Sequence, residues 1–203
     1  MLILFNDDND DGPMRIPYNW MAFIDGENLT IRGQAVAKKR NAKLVTGENF
    51  ERDVFIWFPE KRGWSHEVLQ STEQTSLVYR ALRSHYYTSL SGDDLRLAKI
   101  REQLRGLGFE PSVFKRPKDR AVKGLDIALA SDMLSHGFRN NYDVAVLFGG
   151  DGDYIPLVEE VKRLGKLVYV AFFDDENLSA ELKMAADRFF DLSELLSAAW
   201  TEQ

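Results

Sequence analysis

A three-layer α/β arrangement, an open parallel sheet with helices on both faces, is the architecture expected of these 203 residues. Apolar runs of strand length alternate with stretches of helical period, the pattern of successive βαβ units. The runs MAFI (21–24), VAVLF (144–148) and LVYVAFF (167–173) are almost unbroken by polar residues, as strands become when helices cover both of their faces. Turn chemistry crowds their ends: DGEN follows the first run and GGDGD the second.

Residues 1–19 contain NDDNDDG and read as a flexible acidic N-terminal arm, with order beginning near Trp20 in a domain over 20–203. MAFI is the first strand. From Gly33 to about Ser76 the text is irregular, with KKR at 38–40, FIWF at 55–58 and Trp64. A stretch of that length reads as an insertion (33–76) with structure or function of its own: a lid, a specificity element, or a contact surface for a protein partner or a second copy. RALRSHYYTSL (80–90) is the next strand. Asp93 and Asp94 then open a helix that aligns Leu97, Ile100, Leu104 and Leu107, closed by Gly106 and Gly108.

FEPSVF (109–114) is a strand that Pro111 assigns to an edge. KGLDIALASDMLSHGF (123–138) has helical spacing, and DVAVLF (143–148) is a strand. YIPLVEEVKRLG (154–165) is a helix with Pro156 in its first turn. KLVYVAFF (166–173), LSAELKMAAD (178–187) and RFFDLS (188–193) complete the alternation as strand, helix and strand. Met133, Leu134, Phe189 and Phe190 are expected core; for Trp57 and Trp64, burial outweighs stacking on nucleic-acid bases.

The chain has 26 basic and 32 acidic side chains, a formal net charge of −6, three histidines and no cysteine. Disulfides, thiolate metal sites and thiol nucleophiles are excluded, and His66, His85 and His136 lack the spacing of a zinc site. The negative balance argues against nonspecific coating of nucleic acid while leaving room for a local basic site. No apolar run approaches the ~20 residues of a membrane span. The opening MLILF has neither the basic flank nor the length of a signal peptide, so a cytoplasmic protein is expected.

In an open parallel sheet, ligands bind beyond the carboxyl ends of the strands, where strand order reverses. Asp25 stands just past the first apolar run, and Asp151 and Asp153 just past VAVLF. If these strands are neighbours, three carboxylates converge, and Asp126, in the first turn of the 123–138 helix, can point at the same edge. Crowded carboxylates raise one another's pKa unless a cation neutralises them. An all-oxygen ligand set suits Mg²⁺ or Mn²⁺. Gly149, Gly150 and Gly152 would let the backbone take the left-handed or close-approach conformations that bring the acids inward. Lys115, Arg116, Lys118, Arg120 and Lys123 fall within nine residues beside them. Basic groups next to an acidic metal site suit a phosphodiester substrate, hydrolysed by cation-activated water.

Plainer readings stand beside these. Asp153 is a favoured helix cap, Asp25 and Asp151 suit turns beside glycine, and Asp126 suits a helix N-terminus. Asp132 falls about 120° round the helix from Asp126, on the helix surface or supporting the site from behind.

IDGEN (24–28), KGLD (123–126), ASDML (130–134) and GGDGDY (149–154) occur in the order that resembles NYN domains, with greatest likeness to the LabA-like branch of the PIN-like nuclease fold. The resemblance spans roughly Met21 to Leu192. It implies a Rossmann-like three-layer fold and a Mg²⁺- or Mn²⁺-dependent ribonuclease acting on single-stranded RNA. Asp25, Asp126, Asp151 and Asp153 match its acidic metal positions, and Asn28 matches a polar residue that orients the site or contacts phosphate. Gly149 departs from the pattern, which has serine there, and leaves no hydroxyl at that point. A catalytically weak or inactive regulator that binds RNA or a protein partner is the alternative, motivated by Gly149, the negative charge and the insertion. A phosphatase of the haloacid dehalogenase type would need Asp two residues after Asp25, where this chain has Glu27.

Overall fold

The computed structural model describes residues 18–42, 44, 49–57, 79–116, 124–175 and 177–193. β1 (Tyr18–Asp25) leads directly into α1 (Gly26–Lys39), followed by a small hairpin of β2 (Phe50–Glu51) and β3 (Phe55–Ile56). Then come β4 (Tyr79–Leu90), α2 (Asp94–Gly106), β5 (Glu110–Lys115), α3 (Leu125–Phe138) and β6 (Val144–Phe148). A 3-10 turn (Gly152–Tyr154) runs into α4 (Ile155–Arg163), and β7 (Leu167–Phe172), α5 (Ala180–Ala185) and β8 (Arg188–Asp191) complete the described elements.

Six strands form one sheet in the order β5-β4-β1-β6-β7-β8, and every neighbouring pair is parallel. The chain builds outward from β1 through β4 to β5, then returns to the other side of β1 and builds outward again. The strand-order switch therefore lies beside β1, where β6 begins the second half of the sheet. Pro111 sits in β5, an edge strand, where its missing N–H is tolerated.

Alternation along the strands divides the core into two layers. Trp20, Ala22 and Ile24 of β1 join Val144, Val146 and Phe148 of β6 under α1 and α2, through Leu29, Val36, Leu97, Ile100 and Leu104. Met21 and Phe23 join Ala145 and Leu147 under α3 and α4, through Leu129, Met133, Leu157, Val158 and Val161. Met133 is fully buried as expected, while Leu134, Phe189 and Phe190 are only partly so.

α1 corrects the sequence reading, which took the chain from Gly33 onward as irregular: the helix runs to Lys39. Its buried face is Gly26, Leu29, Thr30, Gly33, Val36 and Ala37, mostly small residues, so the apolar stripe that marks a helix is faint. Smallness is what the packing demands: a Cβ on Gly26 would stand 2.0 Å from Tyr86 Cε1. The β2–β3 hairpin buries Phe50, Val54, Phe55, Ile56 and Trp57, and Trp57 meets Phe109 edge-on at 4.4 Å. This part of the expected insertion belongs to the main core, and Trp57 is buried as its apolar surroundings suggested. β1 begins at Tyr18, inside the stretch assigned to the arm; the rest of the arm, Trp64 and residues 58–78 lie outside the described residues. Among the described residues, no helix is long and apolar enough to cross a membrane.

Candidate active site

Asp25 is the last residue of β1 and the N-cap of α1. Its Oδ1 accepts the backbone N–H of Asn28 at 3.0 Å, the ordinary bond of a capping carboxylate. The side chain is 5% exposed. Its Oδ2 accepts the hydroxyl of Tyr154 at 2.9 Å, and the same phenolic oxygen lies 3.1 Å from Oδ1 of Asp126. One hydroxyl thus ties the end of the first strand to the first turn of α3. Gly124, in the KGLD motif, caps α3 with φ +124°, a conformation open to glycine and hard for other residues.

Burial pushes the Asp25 carboxyl up to about 6; the Asn28 N–H and the Tyr154 hydroxyl counter it, while the charges of Asp126 and Glu27 add to it. A carboxylate this short of water and crowded by like charge needs a positive partner to ionise comfortably. Burial, then the neighbouring Asp25 and Asp126, drive the Tyr154 phenol far above its usual value, so it remains a hydrogen-bond donor.

β6 pairs with β1 so that Phe148 stands opposite Ile24. Gly149 therefore leaves the sheet beside Asp25, and Asp151 and Asp153 follow at the same edge. Asp151 caps the 3-10 turn, accepting the Asp153 N–H at 3.1 Å; the capping role considered for Asp153 falls to Asp151. Both acids are exposed. The glycines serve close approach alone. Gly149, Gly150 and Gly152 do not have left-handed φ values, but a Cβ on Gly150 would fall 2.3 Å from Phe172 Cδ1, and one on Gly149 3.1 Å from Tyr154 Cε2. Among the described residues, no three Asp, Glu or His side chains already stand together as a metal cage. What the structure joins is the Asp25–Tyr154–Asp126 trio.

The basic cluster is partly engaged. Lys115, exposed on β5, pairs with Asp94 at 2.9 Å. Arg116 pairs with Glu27 at 2.7 Å and donates through Nε and Nη2 to Ser89 Oγ at 3.0 and 2.8 Å; Ser89 in turn donates to Glu27 at 2.5 Å. Lys118, Arg120 and Lys123 lie outside the described residues. Asn28 meets Asp25 through its backbone. Asp132 accepts the Tyr87 hydroxyl at 2.8 Å, and Tyr87 stands opposite Asp25 on the adjacent strand, so Asp132 braces the wall of the site.

Tyr154, Glu27 and Ser89 were not singled out from the sequence. Tyr154 ends the GGDGDY motif and reads as one more apolar position at a helix start. Glu27 is in the first turn of the helix whose pattern is faint. Two neighbouring carboxyls on a strand-order switch, Asp25 and Asp126, the first of them buried with no basic side chain against it among the described residues, offer oxygen donors of the kind a hard divalent cation takes.

The family model described as NYN domain matches residues 19–194 of this chain. A crystal structure of a protein of unknown function from Vibrio parahaemolyticus RIMD 2210633 superposes with a TM-score of 0.55 at 20% identity, covering 87% of this chain and 93% of the other. That likeness concerns the fold. No curated protein matches the sequence.

Proposed function

The chain belongs to the NYN domain family, a nuclease-related family, and we propose on that basis that it is a metal-dependent endoribonuclease that cuts single-stranded RNA. The observation that carries the reading is Asp25, a buried carboxyl pushed up to about 6 next to Asp126, at the strand-order switch. Asp25 and Asp126 would hold the ion, with Asp151 and Asp153 completing its shell from the β6 side. The all-oxygen set fits Mg²⁺ or Mn²⁺. When bound, such an ion supplies positive charge to the scissile phosphate and lowers the pKa of water.

The remaining work falls to the chain. Burial of Asp25 keeps bulk water from its inner oxygen, and the Asn28 N–H fixes the carboxyl plane. Arg116, held by Ser89, fixes Glu27 by an ion pair and offsets part of its charge. Lys115, Lys118, Arg120 and Lys123 would steer the RNA backbone toward the edge, as phosphate contacts position without reading sequence.

The test is cleavage of labelled single-stranded RNA in Mn²⁺ or Mg²⁺, beside a chelated control and Asp25→Asn and Asp151→Asn variants. Metal-dependent cleavage by the wild type, abolished by either variant, is expected. Cleavage that persists in Asp25→Asn would remove the assignment. The second reading, a regulator that binds RNA without cutting it, draws support from Gly149 and from the absence of a ready-made three-acid cage among the described residues. RNA retained in Mn²⁺ with no turnover would favour it.

A further inference from the structure

A single hydroxyl lies between the two acids at the edge of the sheet. Tyr154 is 3% exposed, packed in the layer of Leu129, Leu157 and Val158, and its hydroxyl reaches both Asp25, at 2.9 Å, and Asp126, at 3.1 Å. Its ring lies directly against Gly149: an added Cβ there would stand 3.1 Å from Cε2, 3.3 Å from Cδ2 and 3.8 Å from Asp25 Cβ. A side chain at 149 would therefore press on the edge of the Tyr154 ring.

We propose that Tyr154 is the positioning residue of the metal site, its hydroxyl aligning the Asp25 and Asp126 carboxylates. The inference rests on the nuclease reading and deepens it. The phenol has one proton, shared between Asp25 Oδ2 and Asp126 Oδ1, and a carboxylate oxygen that accepts it keeps a further lone pair, so Tyr154 orients the acids without consuming their capacity to ligate. Groups that hydrogen-bond to a metal's ligands in this way typically govern affinity by about 10- to 100-fold. Gly149 is the condition for the arrangement: serine there would displace the ring by a few tenths of an ångström and loosen its contact with the acids.

The test is Mn²⁺ binding to the full chain, read from the paramagnetic resonance of the free ion, for the wild type, Tyr154→Phe, Gly149→Ser and the double variant. Tyr154→Phe is expected to bind Mn²⁺ about 10-fold more weakly or worse. Gly149→Ser should weaken binding in the wild-type background and add little to Tyr154→Phe, the non-additivity of two groups acting through one contact. Mn²⁺ should also perturb the near-ultraviolet tyrosine spectrum of the wild type, a signal lost in Tyr154→Phe, which a purely structural role would not supply. Equal affinity of Tyr154→Phe and wild type, or equal effects of Gly149→Ser in both backgrounds, overturns the inference and leaves the nuclease reading standing. No Mn²⁺ binding by the wild type overturns both. Should Tyr154→Phe melt too low to titrate, Gly149→Ser, which keeps the phenol, carries the same expectation alone.

Discussion

Arg116 lies 2.7 Å from Glu27 and bridges the far end of β5 to the first turn of α1. Both side chains are about one-third exposed, so the pair contributes modestly to stability, but it sets where the Glu27 charge sits relative to Asp25. Arg116→Ala should therefore lower cleavage while leaving the salt dependence of RNA binding unchanged. Removing an arginine that contacts a phosphate reduces the slope of log affinity against log salt by about one. Filter binding across a salt series separates the two, and a reduced slope would mean that Arg116 leaves Glu27 for the substrate.

Asp25 is held at a cost to the fold. A carboxyl that titrates near 6 instead of 3.8 is destabilising by up to about 3 kcal/mol once the pH exceeds both values. The folded state binds the proton more tightly, so this destabilisation grows as pH rises through the interval and vanishes below it. Metal-free Asp25→Asn should be more stable than the wild type at about pH 7.5 by roughly 1–3 kcal/mol, with the difference closing near pH 4. Urea unfolding at the two pH values in chelator measures it. An equal difference at both would mean that the gain has another source.

Adding Mn²⁺ should reverse that ranking. An ion that binds only the folded state stabilises it by about 2.7 kcal/mol at 100 times its dissociation constant, and Asp25→Asn should lose that gain. Melting temperatures with and without Mn²⁺ check this directly.

His85 gives a pH response of the opposite sign. Its ring stacks on Phe23 at 5.4 Å and lies 5.2 Å from the ring of His136, and its Nε2 has no hydrogen-bond partner among the described residues. Burial lowers its pKa below the usual 6.5; His136 and Arg83 act the same way, and Glu110 and Asp132 oppose them. Neutral His85 thus contributes stability that is fully present above 6.5 and lost as pH falls through the lowered folded value. His85→Phe preserves the stacking, and its melting temperature should fall less than that of the wild type between about pH 7 and pH 5.

Gly150→Ala should destabilise by about 1–3 kcal/mol, the usual consequence of forcing an atom into a packed core. The added methyl would meet the Phe172 ring at 2.3 Å, and relief requires the loop carrying Asp151 to lift from the sheet. Chemical denaturation measures the loss, and cleavage should fall with it.

The sequence exposed the sheet more fully than the site. Unbroken runs such as VAVLF announce buried strands, and two of them ending in acids beside glycine located the functional edge. α1 escaped because it packs through glycine and alanine, whose burial leaves little periodic trace. Tyr154 escaped because a tyrosine with one polar atom turned to the acids and its ring in the core looks, in one dimension, like any apolar helix start. The fate of Arg116 was equally hidden, since a basic run cannot reveal that a glutamate nearly ninety positions earlier has claimed one of its members.

The contact between Tyr154 and Asp25 joins positions 129 apart in the chain, and β6, the strand that brings them together, reaches β1 only after the whole first half of the sheet, β1, β4 and β5, has preceded it in the chain. Such nonlocal closure comes late in folding and slowly. A nascent or fragmentary polypeptide ending before Val144 would contain Asp25 and Asp126 yet lack the lock between them. Latency is thus built into the topology: the two acids are joined only when the polypeptide has folded back on itself.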